Sequence, residues 1–210
     1  MSEPADVAAT RAAYDAVAPE YAELLRVELD GKPVDRAMLG LFAELVQGPV
    51  ADIGCGPGRI AAHLAGLGVN AFGIDLSPRM VVAARREHPT LRFEVGSMES
   101  LVTPDAPLGG IVAWYSIIHT PPSRLPGVFA EFHRALGAGG LLLLAFQVGH
   151  EPRHLSHAYG HDIALTAYGL RPGQITELLS AAGFMVTAQL VREPDAAEKT
   201  PQAFMLARKA

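Results

Sequence analysis

The chain has one cysteine, one tryptophan and three lysines among 210 residues, and what is scarce narrows the possibilities first. With Cys55 alone, no intrachain disulfide can form, so the fold must stand on its apolar core, which a chain of this length is large enough to bury. Basic blocks are missing: 17 Lys+Arg against 22 Asp+Glu leave a formal net charge of −5. No basic-aromatic stripe is present to track a phosphate backbone, so no nucleic-acid partner is expected. Apolar runs are short. The longest, such as Leu141 to Phe146, suit a strand and not a membrane span, and no membrane association is expected. The first ten residues, MSEPADVAAT, have neither the basic nor the apolar segment of a secretory leader, which predicts a cytoplasmic location. No repeat, low-complexity tract or interdomain linker appears, so one domain over residues 1–210 is expected.

The most informative stretch is VADIGCGPGR at residues 50–59. An apolar strand breaks there into a loop with glycine at every second position and then opens a helix. Without side chains at Gly54, Gly56 and Gly58, the backbone can turn left-handed and approach a ligand closely. Asp52 ends the strand, placed either to accept a hydrogen bond from a ligand or to pin the loop. A second short strand, Gly73-Ile74-Asp75-Leu76, ends in an acid 21 residues after Gly54, the separation at which a βαβ unit offers a carboxylate to ribose hydroxyls.

Around this centre the chain alternates. Strands are expected at 50–53, 71–75, 91–95, 111–115 and 141–146, with helices at 59–67, 78–88, 123–136 and 172–182, so the economical reading is an α/β fold with parallel strands and covering helices. Two helices precede the sheet, from about Ala5 to Glu28 and from Arg36 to Gln47. Two final strands, Phe184 to Val191 and Gln202 to Arg208, flank a polar connection at Pro194 to Pro201. Ser77 with Pro78 reads as an N-cap and first-turn proline.

The motifs together resemble a class I S-adenosylmethionine-dependent methyltransferase, of the group that includes the ubiquinone and menaquinone biosynthesis methyltransferases. Tyr14-Asp15-x-x-Ala18-x-x-Tyr21 is similar to the N-terminal lid motif, Asp52 to Gly58 to the first cofactor loop, and Gly73 to Ser77 to the ribose acid. Gly96-Ser97-Met98 resembles the adenine segment, Ile117-Ile118-His119 the end of the fourth strand, and Arg134-x-Leu136-x-x-Gly139-Gly140 the turn into the fifth. The resemblance implies a Rossmann-like, doubly wound, seven-stranded sheet, mostly parallel with the last strand antiparallel. It implies an N-terminal helical lid over about 1–47 and an acceptor-side insertion over about 148–170. It also implies methyl transfer from S-adenosylmethionine, with S-adenosylhomocysteine as product, to a small-molecule acceptor through an O, N or C nucleophile, by a monomer or homodimer.

The cofactor contacts it implies are Tyr21, Asp52, Gly54, Cys55, Gly56, Asp75, Leu76, Met80, Ser97, Met98, Trp114 and Tyr115. Ser97 stands where the family more often has aspartate. Cys55 reads otherwise as a small loop residue, since no base adjoins it in sequence. Tyr14 and Tyr21 suit the methionyl end or the acceptor, with half-exposed helix packing as the competing reading. His119 is the general-base candidate, because an imidazole can take a proton near neutrality; its competing role is to hold the Thr120-Pro121-Pro122 turn. His150, His154, His157 and His161 fall at i, i+4, i+7 and i+11. Pro152 and Gly160 argue against one helical face and no HExxH-type ligand set is present, so no metal is expected. An acceptor pocket lined by Tyr14, His119, His150, His157 and His161 competes with solvent exposure for that cluster.

Two other classes remain. Gly56-x-Gly58-x-x-Ala61 satisfies a relaxed dinucleotide fingerprint with Asp75 19 residues beyond Gly56, the pattern of an NAD(P)-dependent oxidoreductase. Asp52 before the glycines, Pro57 inside the turn and the C-terminal helix–strand–connection–strand order favour the methyltransferase. The other class is a non-catalytic S-adenosylmethionine-binding protein.

Overall fold

A computed structural model describes residues 3–102, 106–196 and 198–210. Residues 1 and 2 of the expected lid and residue 197 of the expected connection lie outside the described residues. Helix α1 (Ala5–Leu25), a 3-10 turn at Glu28–Gly31 and helix α2 (Pro33–Leu45) precede the sheet. Then β1 (Val50–Ile53), α3 (Arg59–Gly66), β2 (Ala71–Asp75), α4 (Pro78–Glu87) and β3 (Phe93–Val95) form the first half. The second half has β4 (Leu108–Trp114), a 3-10 turn at Ile117–His119, α5 (Leu125–Ala135), β5 (Leu136–Gln147), a hairpin of β6 (Pro152–Ala158) and β7 (His161–Tyr168), α6 (Pro172–Ala181), β8 (Phe184–Arg192) and β9 (Gln202–Lys209).

Seven strands form one sheet in the order β3-β2-β1-β4-β5-β9-β8. The first five pair in parallel, while β9 runs antiparallel between β5 and β8. All of β1 and β2 and nearly all of β4 are buried, as continuous apolar strands covered on both faces must be. One face packs on α5 and α6 through Phe129, Phe132, Ile175 and Leu179; the other packs on α2 and α3 through Leu39, Phe42, Ile60 and Leu64. The switch in strand order falls between β1 and β4, whose connections leave toward opposite sides of the sheet and open a crevice at their carboxyl ends.

Several expected bounds move, β4 starting at Leu108 and β5 at Leu136, and two further expectations change near the cleft. The first helix ends at Leu25, short of Glu28, and a 3-10 turn follows. The four histidines of 150–161 share no helix face, because the segment folds as an antiparallel hairpin in which His157 pairs with Asp162 and Ala158 with His161. Tyr159 and Gly160 make its turn, both with positive φ, so the glycine that disfavours helix here supplies the reversal.

Helix α1 is anchored to the start of α4, in part through its own irregularity. Pro19 lies inside it and has no N–H for the carbonyl of Asp15; the Arg79 Nη1 donates to that carbonyl at 3.4 Å instead. The Asp15 carboxylate accepts from the Ser77 hydroxyl at 2.5 Å and from Arg79 N–H at 3.1 Å, at the start of α4. Val17 and Ala18 bury Met80 between α1 and α4.

At the opposite end of the sheet from the crevice, a Cβ on Gly109 would stand 1.5 Å from the Gln47 carbonyl oxygen. Backbone would have to move on both sides. Gly109→Ala is therefore expected to cost about 1–3 kcal/mol or more of stability, as overpacking does, read as a lower urea midpoint with ligand affinity at 4 °C unchanged.

Candidate functional site

The crevice floor is a close approach of two strand ends. Ser116 Oγ donates to the Ile53 carbonyl at 2.7 Å, and a Cβ on Gly54 would lie 2.3 Å from Ser116 Cβ. From there the glycine loop crosses to the end of β2. The Asp75 carboxylate accepts from Gly56 N–H at 2.7 Å and from Ser77 N–H at 2.8 Å. Burial pushes its pKa up to about 6, against those two hydrogen bonds, which lower it.

The glycines of the loop and of β2 do different work. Gly58 and Gly73 are packing positions: a Cβ would meet the Phe93 ring at 2.7 Å and the Cys55 Sγ at 2.6 Å, respectively. Gly56, at φ +53°, is the one whose missing Cβ opens the cleft, since the nearest atom to it would be Tyr21 Cε1 at 3.7 Å.

A cleft of about 810 Å³, counted with the part continuous with solvent, opens above this loop. Of the residues expected from sequence it brings together Tyr14, Tyr21, Gly54, Gly56, Asp75, Leu76, Ser97, Met98, Trp114, Tyr115 and His119. Tyr14 stacks edge-on with Tyr21 at 5.6 Å and with His119 at 5.3 Å, and Tyr21 meets Tyr159 of the hairpin turn at 5.2 Å. Trp114 Nε1 and the Tyr115 hydroxyl are buried polar atoms without a hydrogen-bond partner among the described residues. Tyr115 has φ +55°, a strained conformation for a bulky residue of the kind that collects at ligand sites.

Other expected residues stand elsewhere. Asp52 lies behind the loop: its Oδ2 accepts from Ala61 N–H at 3.1 Å, serving the helix start that the N-cap Gly58 has no side chain to serve. Burial raises its pKa to about 7. Cys55 is buried in a cluster with Ala61, Val81, Ala84 and Phe93, and burial pushes its pKa well up, which disfavours the thiolate. Met80 is fully buried under α1. His150 and His157 are exposed; His157 bonds Asp162 at 3.1 Å, and His161 pairs with Glu20 at 3.3 Å. None of these three histidines lines the cleft, and among the described residues no group of histidine, cysteine and carboxylate side chains could hold a metal.

His119 lines the cleft with both nitrogens engaged. Nε2 is 2.7 Å from the Tyr14 hydroxyl and Nδ1 is 2.9 Å from the Thr166 carbonyl. Burial drives its pKa down to about 4, with the Arg153 charge adding to the fall and the Thr166 hydrogen bond opposing it. Burial favours the neutral ring, and the Tyr14 hydroxyl competes for its Nε2 lone pair, so His119 stands in the cleft as a hydrogen-bonded imidazole.

The cleft also gathers residues the motifs did not flag. Val7 and Thr10 precede Tyr14 at i, i+3 and i+7 on one face of α1, a spacing legible in sequence. Arg124 closes that side, bonded to Asp6 and 3.3 Å from Glu99. With that guanidinium engaged by two acids and Asp75 beneath, the cleft favours a cationic ligand against its aromatic walls.

A family model described as a methyltransferase domain matches residues 50–140. A probable S-adenosylmethionine-dependent methyltransferase of Mycolicibacterium smegmatis is 28% identical over 140 residues, 65% of this chain and 52% of that protein. A malonyl-[acyl-carrier protein] O-methyltransferase of Enterobacter lignolyticus is 29% identical over 139 residues, 66% of this chain and 53% of its own. The chain thus spans about half the length of the curated relatives it matches. Among solved structures, the complex of DhpI with SAH superposes with a TM-score of 0.77 at 21% identity, covering 100% of this chain and 99% of that one. The magnesium protoporphyrin IX methyltransferase of Synechocystis with bound SAM gives 0.76 at 16% identity, covering 100% of both. Domain model, relatives and fold converge on the same loop and the same sheet: residues 50–140 match a methyltransferase domain, the curated relatives are S-adenosylmethionine-dependent methyltransferases, and the chain has the fold of that class.

Proposed function

We propose that the chain binds S-adenosylmethionine in the crevice between β1 and β4 and transfers its methyl group to a small-molecule acceptor. The observation that carries this reading is the joined cradle of Gly56 and Asp75. An open backbone position faces the cleft, and a buried carboxylate stands beside it with lone pairs left after accepting two backbone N–H groups. When bound, the cofactor supplies a methyl group on a positively charged sulfur, a leaving group that needs no protonation.

The chain's own residues then bind, orient and exclude water. Asp75 accepts from the ribose hydroxyls, charge-assisted bonds that are stronger than neutral ones. Leu76, Ser97 and Met98 flank the adenine, and Ser97 Oγ, which accepts from Glu99 N–H at 3.2 Å, serves in place of the commoner aspartate. The rings of Tyr14 and Tyr21 lie toward the sulfonium end. Trp114 and Tyr115 wall the acceptor side, where the free Nε1–H of Trp114 is a donor for its polar atoms. Helix α1 and the β6–β7 hairpin form the cover, which suits a small acceptor better than a polymer and keeps water out. Since the Tyr14 hydroxyl competes for the His119 lone pair, rate enhancement comes mainly from holding the acceptor in line with the methyl group.

The reading is tested by incubating the protein with isotopically methyl-labelled S-adenosylmethionine and a metabolite extract. A labelled product one methylene heavier than its precursor supports it. Tight cofactor binding with no product across extracts and acceptor panels favours the non-catalytic binding protein.

Two further outcomes follow from the site. Gly56→Val places a side chain in the cradle and should abolish S-adenosylhomocysteine binding, while its left-handed backbone costs only about 1–2 kcal/mol, seen as a fall of a few degrees in Tm. Asp75→Ala should weaken cofactor binding by roughly 1.5–3 kcal/mol, the worth of hydrogen bonds to a charged group. The carboxylate accepts both ribose hydroxyls only when ionised, and burial holds its pKa near 6. Affinity should therefore be full above that pH and fall as the pH drops through it, and Asp75→Asn should flatten the dependence in calorimetry between pH 5 and 8, a range set around that raised carboxylate pKa.

A further inference from the structure

His119 is the point where the sheet meets both cover segments. It follows β4 in the 3-10 turn Ile117–His119; Tyr14 belongs to α1, and Thr166 to β7. The Thr166 carbonyl can only accept a hydrogen bond, so at 2.9 Å the His119 Nδ1 must carry the ring proton. In the neutral ring Nε2 is then an acceptor, and the Tyr14 hydroxyl, 2.7 Å away, is its donor. The Thr166 bond has only this direction, and the Tyr14 bond cannot reverse without protonating a ring that burial keeps neutral. The Tyr14 proton is thereby turned to the imidazole, and what the Tyr14 oxygen has left for the cleft is lone pairs.

The cover has its own links as well. Ile163 of β7 packs with Val17 and Ala18 of α1, Tyr159 stacks on Tyr21, and His161 pairs with Glu20. These join α1 to the hairpin, whereas His119 joins the pair of them to the strand end that floors the cleft.

We propose that His119 is a positioning residue that clasps both cover segments to the end of β4 and, acting through Tyr14, fixes that tyrosine as a hydrogen-bond acceptor toward the cleft. The description of this clasp as closing a methyl-transfer site rests on the methyltransferase reading above; the clasp itself does not.

The two bonds can be cut separately in the full chain. Tyr14→Phe removes only the bond to Nε2 and leaves the ring packing. His119→Asn keeps a donor near the Nδ1 position and loses the acceptor, and His119→Ala loses both. Hydrogen exchange without ligand should rise roughly five- to tenfold, the fold-change for one hydrogen bond, across residues 5–25 in Tyr14→Phe and His119→Asn. It should rise across both 5–25 and 152–168 in His119→Ala, with β1, β4 and β5 unchanged throughout. The 15N spectrum of the wild-type His119 ring at pH 7, well above the pKa of about 4 to which burial lowers it, should show Nδ1 protonated and Nε2 bare. In Tyr14→Phe the tautomer should stay while the Nε2 resonance moves. Exchange unaltered in Tyr14→Phe, exchange rising in one segment only in His119→Ala, or a ring protonated at Nε2 overturns the clasp. A separate calorimetric titration of the wild type with S-adenosylhomocysteine tests the functional reading: no binding there removes the methyltransferase proposal and leaves the exchange result to decide the clasp.

Discussion

The hydrogen bond from Gly56 N–H to the Asp75 carboxylate, 2.7 Å long, is the contact on which the rest of the cleft depends. It joins the loop after β1 to the end of β2. Burying a carboxylate is costly unless it is bonded, and of the two backbone donors that offset that cost, Gly56 N–H also holds the loop in its left-handed path. The same carboxylate keeps acceptor capacity for a ligand. Its pKa, pushed up to about 6, reflects the balance between burial, which raises it, and hydrogen bonding, which lowers it.

A second pair of strand ends sets where the cleft opens. Ser116 and Gly54 bring β4 against β1 too closely for any side chain on Gly54, so the chain can diverge only above them. Everything aromatic in the site then comes from segments outside the sheet interior or at its very edge: Tyr14 and Tyr21 from α1, Tyr159 from the hairpin turn, Trp114 and Tyr115 from the end of β4. The sheet supplies position, and the segments above it supply the aromatic walls.

The sequence made the sheet and the loop legible because their signals are local. Glycine spacing, a strand-ending acid and alternating apolar segments are set within a few residues of each other, and Ser77 does accept from Met80 N–H as the N-cap it resembles. Side-chain direction was not legible. Asp52, Cys55 and Met80 sit within or beside the right motifs, yet each turns into the core, Asp52 to serve α3 and Met80 to seat α1. His119 was located in the cleft, but its partners come from residues 105 and 47 positions away, and those partners decide whether an imidazole is a base. The 150–161 histidines show the converse: a regular spacing invites a helical face, whereas a turn at Tyr159 and Gly160 folds the segment back on itself. Val7 and Thr10 were readable from the periodicity that includes Tyr14, and were missed because no motif covers them.

Trp114, the one tryptophan of the chain, forms part of the cleft wall, so its fluorescence reports directly on occupancy. Titration with S-adenosylhomocysteine should give a saturable, one-to-one change that S-adenosylmethionine competes for and NAD+ does not. A signal unmoved by S-adenosylhomocysteine, or moved equally by NAD+, would contradict the account.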